Sequence, residues 1–126
     1  MSDLLWQLGA METAELISKK DVSTREVIKN HLERLTEVNP KINAITRSLN
    51  DEAMEMAILA DEKISRNEQI GPLHGVPVTI KDNVDITGQT SPNGVSKLKD
   101  NLAPANSPVV DNLLKAGAIP IGRTNT

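Results

Sequence analysis

Proline and glycine are distributed unevenly along this 126-residue chain, and that distribution decides most of what it can build. Apart from Gly9, residues 1–70 contain a single breaker, Pro40, whereas six prolines and six glycines punctuate residues 71–126. Proline removes a backbone donor and fixes φ, and glycine weakens helix interiors. Long helices therefore belong to the first part, and short strands and loops to the second. The length suits one domain, 1–126, divided into a helical opening over 1–66 and a strand, loop, helix and strand region over 67–126.

Within the opening, Ala10, Ala14 and Ile17, flanked by Met11 and Leu16, predict a first helix of about three turns. Ser23-Thr24-Arg25-Glu26 has capping-box spacing and opens a second helix, whose Val27, Ile28, His31, Leu32 and Leu35 recur at helical intervals. The residue before a proline is pushed away from helical angles, so this helix is expected to end at Asn39-Pro40. Residues 42–46 read as a short extended link. A third helix is expected over about 50–64, with Ala53, Met56, Ala57, Ala60 and Ile64 on one face. Its small side chains permit close approach of a sheet or another helix.

Residues 76–80 are rich in β-branched side chains and read as a buried strand, with 84–87 as a second one. Residues 89–106 show no period and read as a long mobile loop. Ser107 is placed to cap a helix whose first residue is Pro108, and Val109, Val110, Leu113 and Leu114 form its apolar stripe. Gly117 is a natural stop, and 118–121 is aliphatic strand material. Helix, glycine stop and buried strand make half of an α/β layer unit.

Composition narrows the function. Trp6 is the only aromatic residue, so the core is aliphatic and stacking platforms for single-stranded nucleic acid are absent. Net charge is −3 with scattered cations, which offers phosphate backbones no basic stripe. There are no cysteines, and His31 and His74 lack the companions of a metal cluster. No apolar run is long enough to span a bilayer, and the acidic start MSDLLWQLGAMETAEL is unlike a signal peptide. The expectation is a soluble cytoplasmic protein with no cofactor, no metal, no nucleic acid and no membrane partner.

Four places could carry chemistry. Gly117 to Thr124 has the spacing of a phosphate loop with arginine in place of lysine, but it follows a helix and is strand-like, so the mechanism fails. His74 reads as a loop histidine bonded to backbone. Asp82 and Asp85 read as turn and capping residues. Lys81 ends the most core-like stretch, Gly75-Val-Pro-Val-Thr-Ile-Lys81. Pattern alone leaves two readings open: a strand-end lysine extending to water, or a lysine in a dry, hydrogen-bonded niche where it can act as a base.

The segment Gly71-Pro-Leu-His-Gly-Val-Pro-Val-Thr-Ile-Lys-Asp-Asn83 closely resembles the lysine motif of the amidase signature family. Upstream, Val22-Ser-Thr-Arg-Glu-Val27, His31-Leu-Glu-Arg34 and Val38-Asn-Pro-Lys-Ile-Asn-Ala44 resemble that family's opening helices. Downstream, Ser107-Pro-Val-Val110, Leu114-Lys-Ala-Gly-Ala118 and Gly122-Arg-Thr-Asn125 resemble the family's segments beyond its lysine. The resemblance implies an α/β fold in which N-terminal helices pack on the start of a mixed β-sheet, left incomplete here. It also implies hydrolysis of, or transfer from, C–N amide bonds by a serine nucleophile, a second serine with a cis peptide bond, and a lysine base that maps to Lys81. Both serines belong to a later Gly/Ser-rich stretch, and none of Ser91, Ser96 or Ser107 lies in such a stretch. The chain is therefore expected to be a truncated amidase, inactive alone, whose complete form takes a small-molecule amide. The strand at 118–121, lacking its later neighbours, is expected to favour self-association. The alternatives are a non-catalytic remnant or interaction module, and part of the A-type subunit of an aminoacyl-tRNA amidotransferase, from which Asn106-Ser-Pro-Val-Val110 and Gly-Arg-Thr-Asn125 differ somewhat.

Overall fold

In the computed structural model, which describes residues 2–126, the capping box folds as its spacing demands. Ser23 Oγ accepts the Glu26 amide at 3.1 Å, and Glu26 Oε2 accepts the Ser23 amide at 2.7 Å. This closes the start of α2 (Thr24–Ile42), which comes after a 3-10 segment (Ser2–Gln7) and α1 (Ala10–Ser18). The next helix, α3 (Asn50–Ser65), returns a carboxylate to the same place. Asp61 accepts the amides of Thr24 and Arg25 at 2.6 and 3.1 Å, so an acid of α3 satisfies orphan donors at the positive end of α2.

α2 continues through Pro40 instead of stopping before it. The proline forfeits one helical hydrogen bond, but the last turn is held from outside. Asn39 accepts the Ile45 amide at 2.8 Å through Oδ1 and donates Nδ2 to the Ile45 carbonyl at 2.9 Å. Asn43, left-handed at φ 48°, closes the helix by donating its amide to the Asn39 carbonyl at 2.7 Å.

The extended link after α2 is a true strand, β1 (Ile45–Ser48). With β2 (Pro77–Lys81) and β3 (Ile119–Thr124) it forms a mixed three-stranded sheet in the order β1-β3-β2. β3 runs antiparallel to β1 and parallel to β2, and α4 (Pro108–Lys115) belongs to the crossover between the parallel pair. The expected α/β fold, with helices on a mixed sheet, is the one observed. Residues 118–121 do not present a bare edge, because β3 is flanked on both sides. Among the described residues the open edges are the outer ones of β1 and β2.

The core is layered accordingly. Ile28 and Leu32 of α2 meet Ala53, Ala57 and Ala60 of α3 over Ile119 and Ile121 of β3. Leu5, Ile17 and Val27 form a second cluster where α1 and the 3-10 segment meet α2. Ile80 and Ile86 pack with Val110 of α4 in a third. Residues 84–87 are not a strand: the Val84 amide turns back onto the Lys81 carbonyl at 3.0 Å, leaving Ile86 to fill the space under α4. Ser107 stands at the start of α4 without capping it. Its Oγ is buried and unpartnered, and its backbone amide is spent on the Asp85 carbonyl at 3.0 Å.

Helix α2 offers two tests. Ser23→Ala removes one half of the capping box and should lower unfolding stability by about 1 kcal/mol, read as a shifted denaturation midpoint at unchanged slope. His31 donates Nδ1–H to the Val27 carbonyl at 2.8 Å and is half-buried. Burial draws its pKa below the ordinary 6.5, more strongly than the Val27 bond raises it. A histidine with a depressed folded value contributes stability above the unfolded value that is lost as pH falls through the folded one. Between about pH 7 and about pH 5 the melting temperature should fall less steeply in His31→Gln than in the parent. Identical slopes would clear His31 of any part in that decline.

Candidate active site

β2 and β3 end together at the pair Lys81 and Thr124, so their carboxyl ends open on the same side. In α/β sheets this is the end at which ligands bind. Residues alternate across a strand, and here Ile80 is buried while Thr79 and Lys81, on the opposite face, are exposed. Among the described residues no hydrogen bond or ion pair reaches Lys81 Nζ. These residues therefore do not form a dry niche around Lys81: the lysine is the last residue of β2, on a face that they leave open. The carboxylate next to it in sequence does not pair with it either. Asp82 is buried and accepts a short hydrogen bond from the Thr126 hydroxyl.

The strand alongside supplies the buried cation. Arg123, on β3, is 2% exposed and is surrounded by carbonyl oxygens. Its Nε donates to Ile80 O at 3.4 Å, Nη1 to Gln89 Oε1 at 3.0 Å and Thr90 O at 3.5 Å, and Nη2 to Lys81 O at 3.2 Å and Val84 O at 2.6 Å. Burial pulls its pKa below the ordinary arginine value, Asp82 opposes that, Arg47 adds to it, and Asp85 opposes it. Arginine nonetheless remains charged near neutrality. Asp82 and Asp85 thus both lend negative charge to this guanidinium, while Asp82 accepts from the Thr126 hydroxyl and Asp85 accepts the Ser107 amide through its backbone carbonyl.

A cleft of about 490 Å³ opens beside it, with Asp82, Thr90, Ser96 and Arg123 in its walls and Arg47 and Lys99 contributing cations. Residues 89–106, expected to be one mobile loop, are tied at the base. Gly88 N meets Ala103 O at 2.9 Å, Ala103 N meets Gln89 O at 2.9 Å, and Ser91 N meets Asn101 O at 3.0 Å, around a Thr90–Leu102 bridge. The tip turns through a short 3-10 segment (Ser96–Leu98).

His74 is buried and donates Nε2–H to the Ala60 carbonyl at 2.9 Å, the backbone-bonded role read from its turn. That turn docks β2 on the end of α4, through Leu73 N to Ala116 O at 2.8 Å and Gly75 N to Gly117 O at 2.9 Å. Gly117, at φ 94°, ends the helix, and Gly122 lies inside β3, so the phosphate-loop spacing builds no ring of amides. Ser91 and Ser107 have buried, unpartnered hydroxyls, Ser96 is exposed, and none of the three bonds to Lys81. Among the described residues no group of His, Cys, Asp and Glu could hold a metal ion, and no helix is long and apolar enough to cross a membrane.

This arrangement of helices, turn and strands is shared with enzymes that cleave amides. The family model Amidase matches residues 26–126. An indoleacetamide hydrolase of Bradyrhizobium diazoefficiens is 47% identical over 97% of this chain and 23% of its own length. The A-type subunit of the glutamyl-tRNA(Gln) amidotransferase from Thermoanaerobacter pseudethanolicus is 40% identical over 96% of this chain and 25% of its own. The crystal structure of a bacterial aryl acylamidase of the amidase signature family superposes with a TM-score of 0.89 at 30% identity, covering 94% of this chain and 25% of that one. The chain belongs to the amidase family, the amidase signature enzymes. It spans about a quarter of the length of the curated relatives it matches.

The paired base of the 89–106 segment has a measurable consequence. The amides of Ser91 and Ala103 should exchange at least about tenfold more slowly than those of Asn93, Gly94 and Ser96 at the tip. Uniform fast exchange across the segment would mean that the ribbon does not form in solution.

Proposed function

We propose that this chain carries the general base of an amidase that hydrolyses small-molecule amides, and that the base is Lys81. The observation that supports this most directly is the placement of Lys81 as the terminal residue of a parallel strand, at the open carboxyl end of the sheet. It lies within residues 26–126, the part that matches the family. A lysine can serve as base only after surrendering its proton, and the proton it then takes must come from a hydroxyl held within hydrogen-bond reach. In this reading that hydroxyl is the bridging serine, which in turn activates a nucleophilic serine. Both serines, and the donors that stabilise the oxyanion, are assigned to the remaining length of an enzyme of the relatives' size. The same remainder would cover the face on which Lys81 stands and remove it from water. An unsubstituted amide such as that of the indoleacetamide hydrolase is the substrate class with the strongest support, at 47% identity.

The experiment replaces the corresponding segment of that hydrolase with residues 1–126 and measures turnover of a primary amide. The chimera should be active, and the 126-residue chain alone should release no product above background. Lys81→Ala should lower kcat by about 10³-fold or more, on the scale of losing a triad member. Lys81→Arg should not restore it, because arginine keeps its proton. An active Lys81→Arg chimera would refute the base assignment. An inactive parent chimera that gains activity only in the context of the amidotransferase would favour the second reading, supported by the relative at 40% identity. Inactivity in both contexts would favour a non-catalytic role.

A further inference from the structure

We propose that Arg123 is a positioning residue that sets the direction in which Lys81 leaves β2. The proposal rests on Lys81 being the base. A guanidinium carries five N–H groups, and all five here have acceptors, four of them main-chain carbonyls. With no donor left over and only 2% of its surface exposed, Arg123 has nothing to offer a ligand directly. What it holds is backbone. Its Nη2 bridges Lys81 O and Val84 O, the first and last carbonyls of the turn that begins at the lysine. Its Nε takes Ile80 O, one residue earlier, so successive carbonyls on either side of the Lys81 Cα converge on one rigid plane. Nη1 ties the same plane to Gln89 and Thr90 at the start of the ribbon.

The geometry matters because the other restraints at this end of the strand hold the residues that follow Lys81, and beyond the ladder Arg123 also takes the carbonyl that precedes the Lys81 Cα. β2 is an edge strand, and the Lys81 side chain is open. Beyond the ladder to β3, the turn is held by the Val84 amide on Lys81 O at 3.0 Å, the Asp82 amide on Thr124 O at 2.9 Å, the Thr126 hydroxyl on the Asp82 carboxylate, and the packing of Val84 and Ile86 beneath α4. A displacement of about 1 Å at the base can cost about 10²-fold in rate without weakening substrate binding. Lysine at position 123 would keep the charge but has three donors in place of five and no plane with which to span two carbonyls.

The test uses the active chimera described above. Arg123→Lys should lower kcat by about 10- to 100-fold with KM changed by less than about twofold. In the Lys81→Ala background the same substitution should alter the residual rate by less than about twofold, because a residue acting through Lys81 has nothing left to position. In the 126-residue chain, Arg123→Lys should speed exchange of the Val84 amide by about tenfold, while the Ile119 amide, bonded to Val76 O at 2.9 Å, keeps its protection. A parental kcat in Arg123→Lys, with Lys81→Ala inactive, overturns the positioning role and leaves the base intact. So does an equal loss in both backgrounds, or equal loss of protection at Val84 and Ile119, since each marks a purely structural residue. Full activity of Lys81→Ala would remove both readings together.

Discussion

Strand β3 is paired along both edges, and its side chains are buried up to Arg123, and most other placements answer to that requirement. A buried backbone must find partners for every N–H and C=O, which an aliphatic strand such as Ile119-Pro-Ile-Gly can do only between two neighbours. β1, which follows directly on α2, supplies one side antiparallel. β2 supplies the other in parallel, which requires a crossover, and α4 forms part of it. Ile119 and Ile121 then need a cover, and the α2–α3 pair provides it, with Ala53, Ala57 and Ala60 letting the helix backbones close down on the sheet.

Close approach recurs where β2 is seated. A Cβ on Gly71 would lie 2.4 Å from the Ala116 carbonyl oxygen, and one on Gly117 would lie 2.6 Å from His74 Cα. These two glycines let the turn before β2 rest backbone to backbone on the end of α4. The Leu73 and Gly75 amides bond there, and the His74 ring reaches across to α3. The strand that ends in Lys81 is thus fixed at its start by main-chain contacts and at its finish by the Arg123 guanidinium. The role proposed for Lys81, exchange of a proton with a positioned partner, calls for such a rigid element and not a mobile loop.

The helices and strands are legible in the sequence because their signals are local. The capping box, the alanine stripe and the glycine stop each specify what their own neighbours do. Local reading fails where a distant partner decides the outcome. Pro40 ends α2 on local grounds, yet Asn39 and Ile45 hold the final turn together across the connection. Ser107 has a capping residue's identity and position, yet its amide is drawn to Asp85 and its hydroxyl is enclosed. Residues 84–87 have strand composition, but the Val84 carbonyl is taken by Arg123, 39 residues further along the chain. The 89–106 segment lacks a period because its pairing is one bridge long, too short to leave one.

Lys81 and Arg123 show where pattern reading stops. Each ends an aliphatic run near the close of a strand, and the two strands are adjacent, in register at Ile80 with Arg123 and Lys81 with Thr124. Sequence gives them the same signature, and the family resemblance singles out the lysine alone. The sheet's two faces separate them. Arg123 pairs in register with Ile80, whose side chain faces the α4 layer, and there a planar cation can collect the carbonyls of a turn and a ribbon. Lys81 falls on the other face, where the described residues supply no partner. The division fits the role proposed for Lys81: a permanent cation with five fixed donors suits a buried structural slot, and a group proposed to gain and lose a proton has to remain within reach of the hydroxyl that supplies it. Interchanging the two would bury an ammonium with too few donors for its carbonyls and leave at the open end of the sheet a group unable to act as a base.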